Sequence, residues 1–132
     1  MVRIEATYDG NLRCTATHEP SGTQLITDAP VDNKGKGESF SPTDLLATSM
    51  LTCIMTIVAI RADSRNIDVS GMSGSVEKTM ASSPRRIAKL EVVVNLPSEM
   101  EMEDRAWLIT EGCNCPVCVS VSESMEVDVT FQ

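Results

Sequence analysis

The chain has 132 residues, of which 42% are hydrophobic, and both values are typical of one globular domain that buries a core of its own. Acidic residues outnumber basic ones 19 to 11, so the net charge is −8. This charge disfavours nucleic acids and anionic membrane surfaces as partners, because both bind basic surfaces, and it is typical of a solvated protein surface.

The N-terminal third predicts three strands and a long loop. Residues 2 to 8 alternate between apolar and polar side chains, which is the period of a half-buried strand. An Asp-Gly turn signal follows, and residues 12 to 18 alternate again, so the two runs predict a β-hairpin. A third short strand is predicted over residues 23 to 28. Residues 28 to 41 have no periodicity, and a loop of this length is typically functional or disordered.

A long helix is predicted next. Ser41 is a good N-cap residue, Pro42 suits the first helical position, and Asp44 suits the positive end of the helix dipole. The segment then runs to about residue 63 with apolar residues around most of its circumference, which predicts a buried helix. Threonines interrupt this apolar stretch, and we interpret it as too short and too polar to span a bilayer.

The rest of the chain predicts two strands, two helices and a last strand. The strands cover residues 67 to 80, 85 to 96 and 125 to 131, one helix runs from residue 98 to about 112, and a shorter helix starts at Pro116. The order βββ-α-ββ-αα-β indicates an α+β fold, in which antiparallel sheet packs on helices in a single domain, residues 1–132.

The five cysteines raise the question of metal or redox chemistry. The N-terminus has no signal peptide, so we expect a cytoplasmic protein, in which thiols stay reduced and structural disulfides are rare. Cys14 lies on the apolar face of a predicted strand, where a cysteine is a small core side chain. Cys53 lies in the long helix, and its pattern alone favours the same interpretation.

Three further cysteines lie close together in CNCPVC. Cys115 and Cys118 have the spacing of half a zinc site, with Cys113 as a third ligand, but a second Cys-x-x-Cys pair is missing. The redox alternative depends on Pro116, which places Cys115 at a helix N-terminus, where unpaired N–H groups stabilise a thiolate.

Two motifs of the chain resemble those of the OsmC/Ohr family. The first, SPTDLLATSMLTC, leads into the long helix and ends at Cys53, eleven residues after Pro42. The second is CNCPVCVSV, in which Cys115 takes the position of the family's second cysteine. The resemblance covers essentially the whole chain. It implies an OsmC-like α+β fold, with antiparallel sheets packed on a long buried central helix, in an intertwined homodimer with its sites at the interface.

The resemblance also implies a chemistry. Characterised family members are thiol-dependent peroxidases of the oxidative stress response that prefer organic hydroperoxides and need no metal or cofactor. Carried over, Cys53 is the peroxidatic thiolate, which becomes a sulfenic acid, and Cys115 is the resolving cysteine, which converts it to a disulfide. An external dithiol then restores the pair. The implied partners are a second copy of the chain, a small hydroperoxide and a dithiol reductant, without nucleic acid or membrane.

The chain departs from the family where a positive charge and a carboxylate hold the thiolate. The family's arginine and glutamate fall at Asn33 and Thr43 in this sequence. Residues nearby offer replacements, which are Lys34, Lys36 and Arg13 for the charge and Asp44 for the carboxylate. Cys118 stands where the family has serine and adds a competing resolving thiol. Because Cys118 lies a turn beyond Cys115, we expect Cys115 to pair with Cys53, while an exchange of the two stays open.

The sequence leaves two alternatives to a peroxidase. One is a non-enzymatic OsmC-like binding module, in which an apolar pocket holds a small lipid-like ligand. The other is a zinc–thiolate protein that uses Cys113, Cys115 and Cys118.

Overall fold

The computed structural model describes all 132 residues, and the chain divides into two compact units, Met1–Leu46 and Ala47–Gln132. The N-terminal unit contains an antiparallel sheet in the order β1-β2-β3, formed by Ile4–Gly10, Arg13–His18 and Thr23–Asp28. The three predicted strands are confirmed, and the third matches its predicted bounds. The single domain over residues 1–132 stays a prediction.

The hairpin between β1 and β2 turns later than its Asp-Gly signal predicts. β1 continues through Gly10, and the two loop residues are Asn11 and Leu12, with φ of 53° and 63°. Positive φ at both positions matches the twist of the paired strands. The pairing shifts by one residue between Tyr8 and Gly10, so Gly10, with φ of 82°, accommodates a β-bulge instead of the turn.

The loop after β3 is held by hydrogen bonds to a buried carboxylate. Asp28 is buried, and its Oδ2 accepts hydrogen bonds from the backbone N–H of Glu38 at 3.0 Å and from the guanidinium of Arg13 at 3.4 Å. The N–H of Glu38 is the largest of the effects that lower the pKa of Asp28. The hydrogen bond between Glu38 and Asp28 therefore holds together two distant residues of the segment that is predicted to lack periodicity. This segment contains one short 3-10 helix, Val31–Asn33.

The C-terminal unit contains the second sheet and two shorter helices. The long helix α1, Pro42–Ser64, begins in the first unit and continues into the second. The following elements are β4 Ser73–Ser82, β5 Arg85–Asn95, α2 Met102–Cys113, α3 Pro116–Val121 and β6 Glu126–Phe131. The predicted order of elements is confirmed, although β4 begins six residues and α2 four residues later than the predicted starts.

The second sheet is mixed and not wholly antiparallel. Its order is β4-β5-β6, and β5 pairs antiparallel with β4 but parallel with β6. Two helices connect β5 to β6, and a connection of this length allows the chain to return in the same direction, which a hairpin cannot do.

One stripe of α1 contributes to the core of the C-terminal unit. Its buried residues recur every three or four positions, at Ala47, Met50, Ile54, Val58 and Ala62. The apolar residues on its other faces are only partly covered by this chain, and Ile60 keeps 57% of its surface exposed. By length and composition alone α1 could cross a membrane, in contrast to our expectation, but the core helix of a soluble protein meets the same criteria.

A glycine lets α2 lie close to α1. An added Cβ at Gly112 would lie 2.9 Å from Cγ2 of Val58 and 3.0 Å from Cζ of Phe131. In the middle of α2, the ring centroid of Trp107 lies 3.5 Å from the guanidinium of Arg65, the residue that follows α1. These contacts fix α2 on α1, and the chain enters α3 at Pro116, two residues after Asn114, the C-cap of α2.

Candidate thiol site

The start of α3 positions Cys115. This residue is the N-cap of α3 and Pro116 follows it, as the sequence predicts. Its Sγ accepts a hydrogen bond from the backbone N–H of Cys118 at 3.3 Å, and none of its surface is exposed. The local sequence therefore fixes the direction of this buried thiol.

The structure brings Cys53 and Cys115 together. The thiol of Cys115 and the backbone N–H of Val117 both lie close enough to Cys53 to act on its pKa. Burial raises the pKa of Cys53 and the neighbouring Cys115 raises it further, while the N–H of Val117 acts in the opposite direction. Within the C-terminal unit, Cys53 therefore favours its neutral thiol form.

Cys118 is the third member of the group, which we call the thiol cluster (Cys53, Cys115 and Cys118). The thiol of Cys115 donates to Sγ of Cys118 at 2.7 Å, and the thiol of Cys118 donates to Sδ of Met50 at 3.1 Å. Burial first, and then the interactions with Cys115, raise the pKa of Cys118 to about 12. The sequence predicts Cys118 as a competing thiol but gives no signal for its contact with Met50 on α1.

The other two cysteines lie outside this cluster. Cys113 is exposed, and Cys14 is half-buried in β2 of the N-terminal unit. No group of three or more histidine, cysteine, aspartate or glutamate side chains is arranged to hold a metal ion. The geometry therefore lends no support to the zinc–thiolate alternative.

The residues predicted to support the thiolate all lie in the N-terminal unit. Arg13 forms ion pairs with Asp28 and Glu38, while Lys34 and Lys36 are exposed. Asp44 caps α1, because its Oδ2 accepts a hydrogen bond from the backbone N–H of the N-cap, Ser41, at 2.8 Å. The Ser41 hydroxyl accepts one in return from the Asp44 N–H at 3.1 Å. The roles of these residues toward Cys53 stay predictions.

A cavity adjoins the thiol cluster on the side of Cys118. Its volume is about 390 Å³, and the thiols that line it are Cys113 and Cys118. Three valines contribute most of the remaining wall, at positions 119, 127 and 129. Neither Cys53 nor Cys115 lines this cavity, so Cys118 is the cluster's only contact with it.

Comparison with known proteins identifies the family. A model of the family described as OsmC-like protein matches residues 35–130. The chain belongs to the OsmC-like family. This result confirms the resemblance drawn from the two cysteine motifs, and the α+β fold of this OsmC-like protein is confirmed with it.

Solved structures show the same fold over the full chain. A protein of Psychrobacter arcticus 273-4, described as an osmotic stress induced and detoxification response protein, is 39% identical, with a TM-score of 0.94 over 100% of this chain and 96% of that one. An organic hydroperoxide resistance protein of Legionella pneumophila is 14% identical, with a TM-score of 0.81 over 100% and 96% of the two chains.

A third structure extends the comparison. The organic hydroperoxide resistance protein OhrB of Bacillus subtilis is 16% identical, with a TM-score of 0.70 over 100% and 98% of the two chains. At such identities the likeness to the Legionella and Bacillus proteins concerns the fold alone. No curated protein matches the chain.

Proposed function

We propose that this OsmC-like protein reduces organic hydroperoxides with Cys53 as the peroxidatic and Cys115 as the resolving cysteine. The observation that carries the proposal is the proximity of these two thiols, one on α1 and one at the start of α3, which is close enough for Cys115 to raise the pKa of Cys53. Structural neighbours that are organic hydroperoxide resistance proteins support the same substrate class. We place the reaction in the cytoplasm, where the cysteines, all free in this structure, stay reduced.

The proposed reaction has two chemical steps. The thiolate of Cys53 attacks the distal oxygen of the hydroperoxide, the O–O bond breaks, and an alcohol leaves after it takes up a proton. Cys53 is then a sulfenic acid. The sulfur of Cys115 attacks it, a disulfide forms, and the sulfenic hydroxyl leaves as water. The backbone N–H of Val117, which acts to lower the pKa of Cys53, stabilises the thiolate in the first step.

Steady-state consumption of an organic hydroperoxide with a dithiol as reductant tests the function. We expect turnover, and faster turnover with the organic hydroperoxide than with hydrogen peroxide at equal concentration. Absence of turnover with both oxidants would contradict the proposal. Native mass spectrometry of the same preparation would then show whether a small lipid-like molecule is retained, as the binding-module alternative predicts.

The rate of Cys53 oxidation is expected to rise with pH. The thiolate is the reactive form, and burial together with Cys115 raises the pKa of Cys53, so only a small fraction is ionised at neutral pH. The second-order rate constant should therefore increase about tenfold per unit between about pH 6 and pH 8. Stopped-flow measurement with an organic hydroperoxide gives this profile.

A matched variant tests the cause of this pH dependence. Cys115→Ser removes the sulfur that helps to raise the pKa of Cys53, so its profile should shift to lower pH. A rate that is constant from about pH 6 upward would contradict the prediction, since it would place the pKa of Cys53 below that value. A positive group outside the C-terminal unit, with Arg13, Lys34 and Lys36 as candidates, would then hold the thiolate.

We also propose that the protein works as a homodimer. Much of the apolar surface of α1 stays accessible in one chain, and both Ile4 of β1 and Ile26 of β3 are more than half exposed. A second copy of the chain would cover such surface. Light scattering at micromolar concentration should return twice the chain mass of 14.3 kDa, and a monomer mass would contradict this proposal.

A further inference from the structure

We propose that Cys118 is a third redox thiol, which takes over the disulfide from Cys53 and presents it to an external dithiol in the adjoining cavity. This inference rests on the proposed reaction of Cys53 and Cys115 and extends it by one step. It assigns a role to the thiol that stands at the serine position of the family pattern.

The position of Cys115 between two thiols carries the inference. Its thiol lies close enough to Cys53 to raise the pKa of that residue, and its Sγ lies 2.7 Å from Sγ of Cys118. Thiol–disulfide exchange requires a third sulfur to approach one sulfur of an existing disulfide. Cys118 already touches the sulfur that it would attack, and both residues are held by the first turn of α3.

The exchange step balances without a further reactant. Sγ of Cys118 attacks Sγ of Cys115 in the Cys53–Cys115 disulfide, the Cys115–Cys118 bond forms, and the bond to Cys53 breaks. Cys53 leaves as a thiolate and takes up the proton that Cys118 loses. The chain then carries one disulfide, as before, and Cys53 is again a thiol that can react with a second hydroperoxide.

Oxidation of the first pair also prepares Cys118 for attack. In the reduced chain, burial and then the hydrogen bond and charge interactions with Cys115 raise the pKa of Cys118. A Cys53–Cys115 disulfide carries neither a thiol proton nor a negative charge, so the interactions with these two sulfurs are lost. The pKa of Cys118 falls as a result, and a larger fraction becomes the nucleophilic thiolate.

The cavity gives an external dithiol access to Cys118. Cys115 has no exposed surface, whereas Cys118 keeps 8% of its surface exposed and lines the cavity of about 390 Å³. A small dithiol in this cavity reaches Cys118, attacks its sulfur in the Cys115–Cys118 disulfide and leaves as a cyclic disulfide, while both cysteines return to thiols. Reduction and peroxide reaction therefore take place at two different cysteines.

Peptide mapping after rapid alkylation tests the transfer in the full-length protein without reductant. With one equivalent of an organic hydroperoxide, the Cys53–Cys115 disulfide should form first and then decrease as Cys115–Cys118 increases. With two equivalents of hydroperoxide, each wild-type chain should consume both, and dimedone should label the Cys53 sulfenic acid that the second equivalent forms. Cys118→Ser and Cys118→Ala should both stop at one equivalent with Cys53–Cys115 intact. The control Cys14→Ser should behave as the wild type.

The outcomes separate this inference from the proposed function. If the wild type consumes one equivalent and keeps the Cys53–Cys115 disulfide, the peroxidase reaction stands and the transfer to Cys118 is wrong. If no hydroperoxide is consumed, the proposed function fails, and the disulfide is introduced with the thiol oxidant diamide instead. A Cys53–Cys115 disulfide that forms first and is then replaced by Cys115–Cys118 would still support the transfer, and a final Cys53–Cys115 disulfide would overturn it.

Discussion

Replacing Cys53 with serine is expected to abolish hydroperoxide turnover, with a loss of about a thousandfold or more in kcat/KM. A hydroxyl at this position keeps the size of the side chain but cannot form the sulfenic acid on which the proposed reaction depends. Hydroperoxide consumption with an excess of dithiol measures the effect. Residual turnover close to that of the wild type would show that another residue is the peroxidatic group.

Two variants make the Cys53 result specific. Cys115→Ser should allow one oxidation of Cys53 and then stall, because no sulfur is present to resolve the sulfenic acid, and further oxidation to sulfinic acid should follow. Cys14→Ser changes a half-buried thiol in the other unit and should leave turnover unchanged. Mass spectrometry of Cys53 after excess hydroperoxide distinguishes the first variant from the wild type.

Replacing Leu90 with alanine is expected to give the largest loss of stability, about 2–5 kcal/mol in the free energy of unfolding. Leu90 has no exposed surface and lies in β5, the central strand of the second sheet, where it is paired with both Lys78 and Val127. Truncation leaves a cavity that the paired strands on both sides prevent from collapsing. Urea unfolding at a fixed protein concentration measures the change.

An exposed methionine gives the matched control. Met102 opens α2 with 86% of its surface exposed, so Met102→Ala should change the free energy of unfolding by less than about 0.5 kcal/mol. Equal losses for Leu90→Ala and Met102→Ala would contradict the assignment of Leu90 to the core.

The parts of the fold that the sequence predicts are those set by neighbouring residues. Alternation located β1 and β2, and Ser41 with Pro42 located the start of α1, because strand period and helix capping act over a few residues. Pro116 located the start of α3 and so the place of Cys115 as its N-cap. For the same reason the family motifs were recognisable in the sequence.

The parts that the sequence did not predict depend on residues far apart in the chain. The parallel pairing of β5 with β6 is decided by how two helices return the chain to the sheet, and no local pattern encodes it. The contact of Cys118 with Met50 joins α3 to α1 across 68 positions. The partial exposure of α1 likewise depends on how much apolar surface the remaining chain can cover, which composition alone does not determine.

The close approach of α2 to α1 at Gly112 has a consequence for the distance between the sulfurs. Gly112 lies three residues before Cys115. It faces Val58 and Ile54, and both belong to α1, the helix that carries Cys53. A larger residue at 112 would push the end of α2 outward and carry the start of α3 with it. Disulfide formation tolerates little such movement, because the bond needs two sulfurs within about 2 Å of each other. The absence of a side chain at Gly112 therefore keeps the sulfurs of Cys53 and Cys115 close enough to form a disulfide.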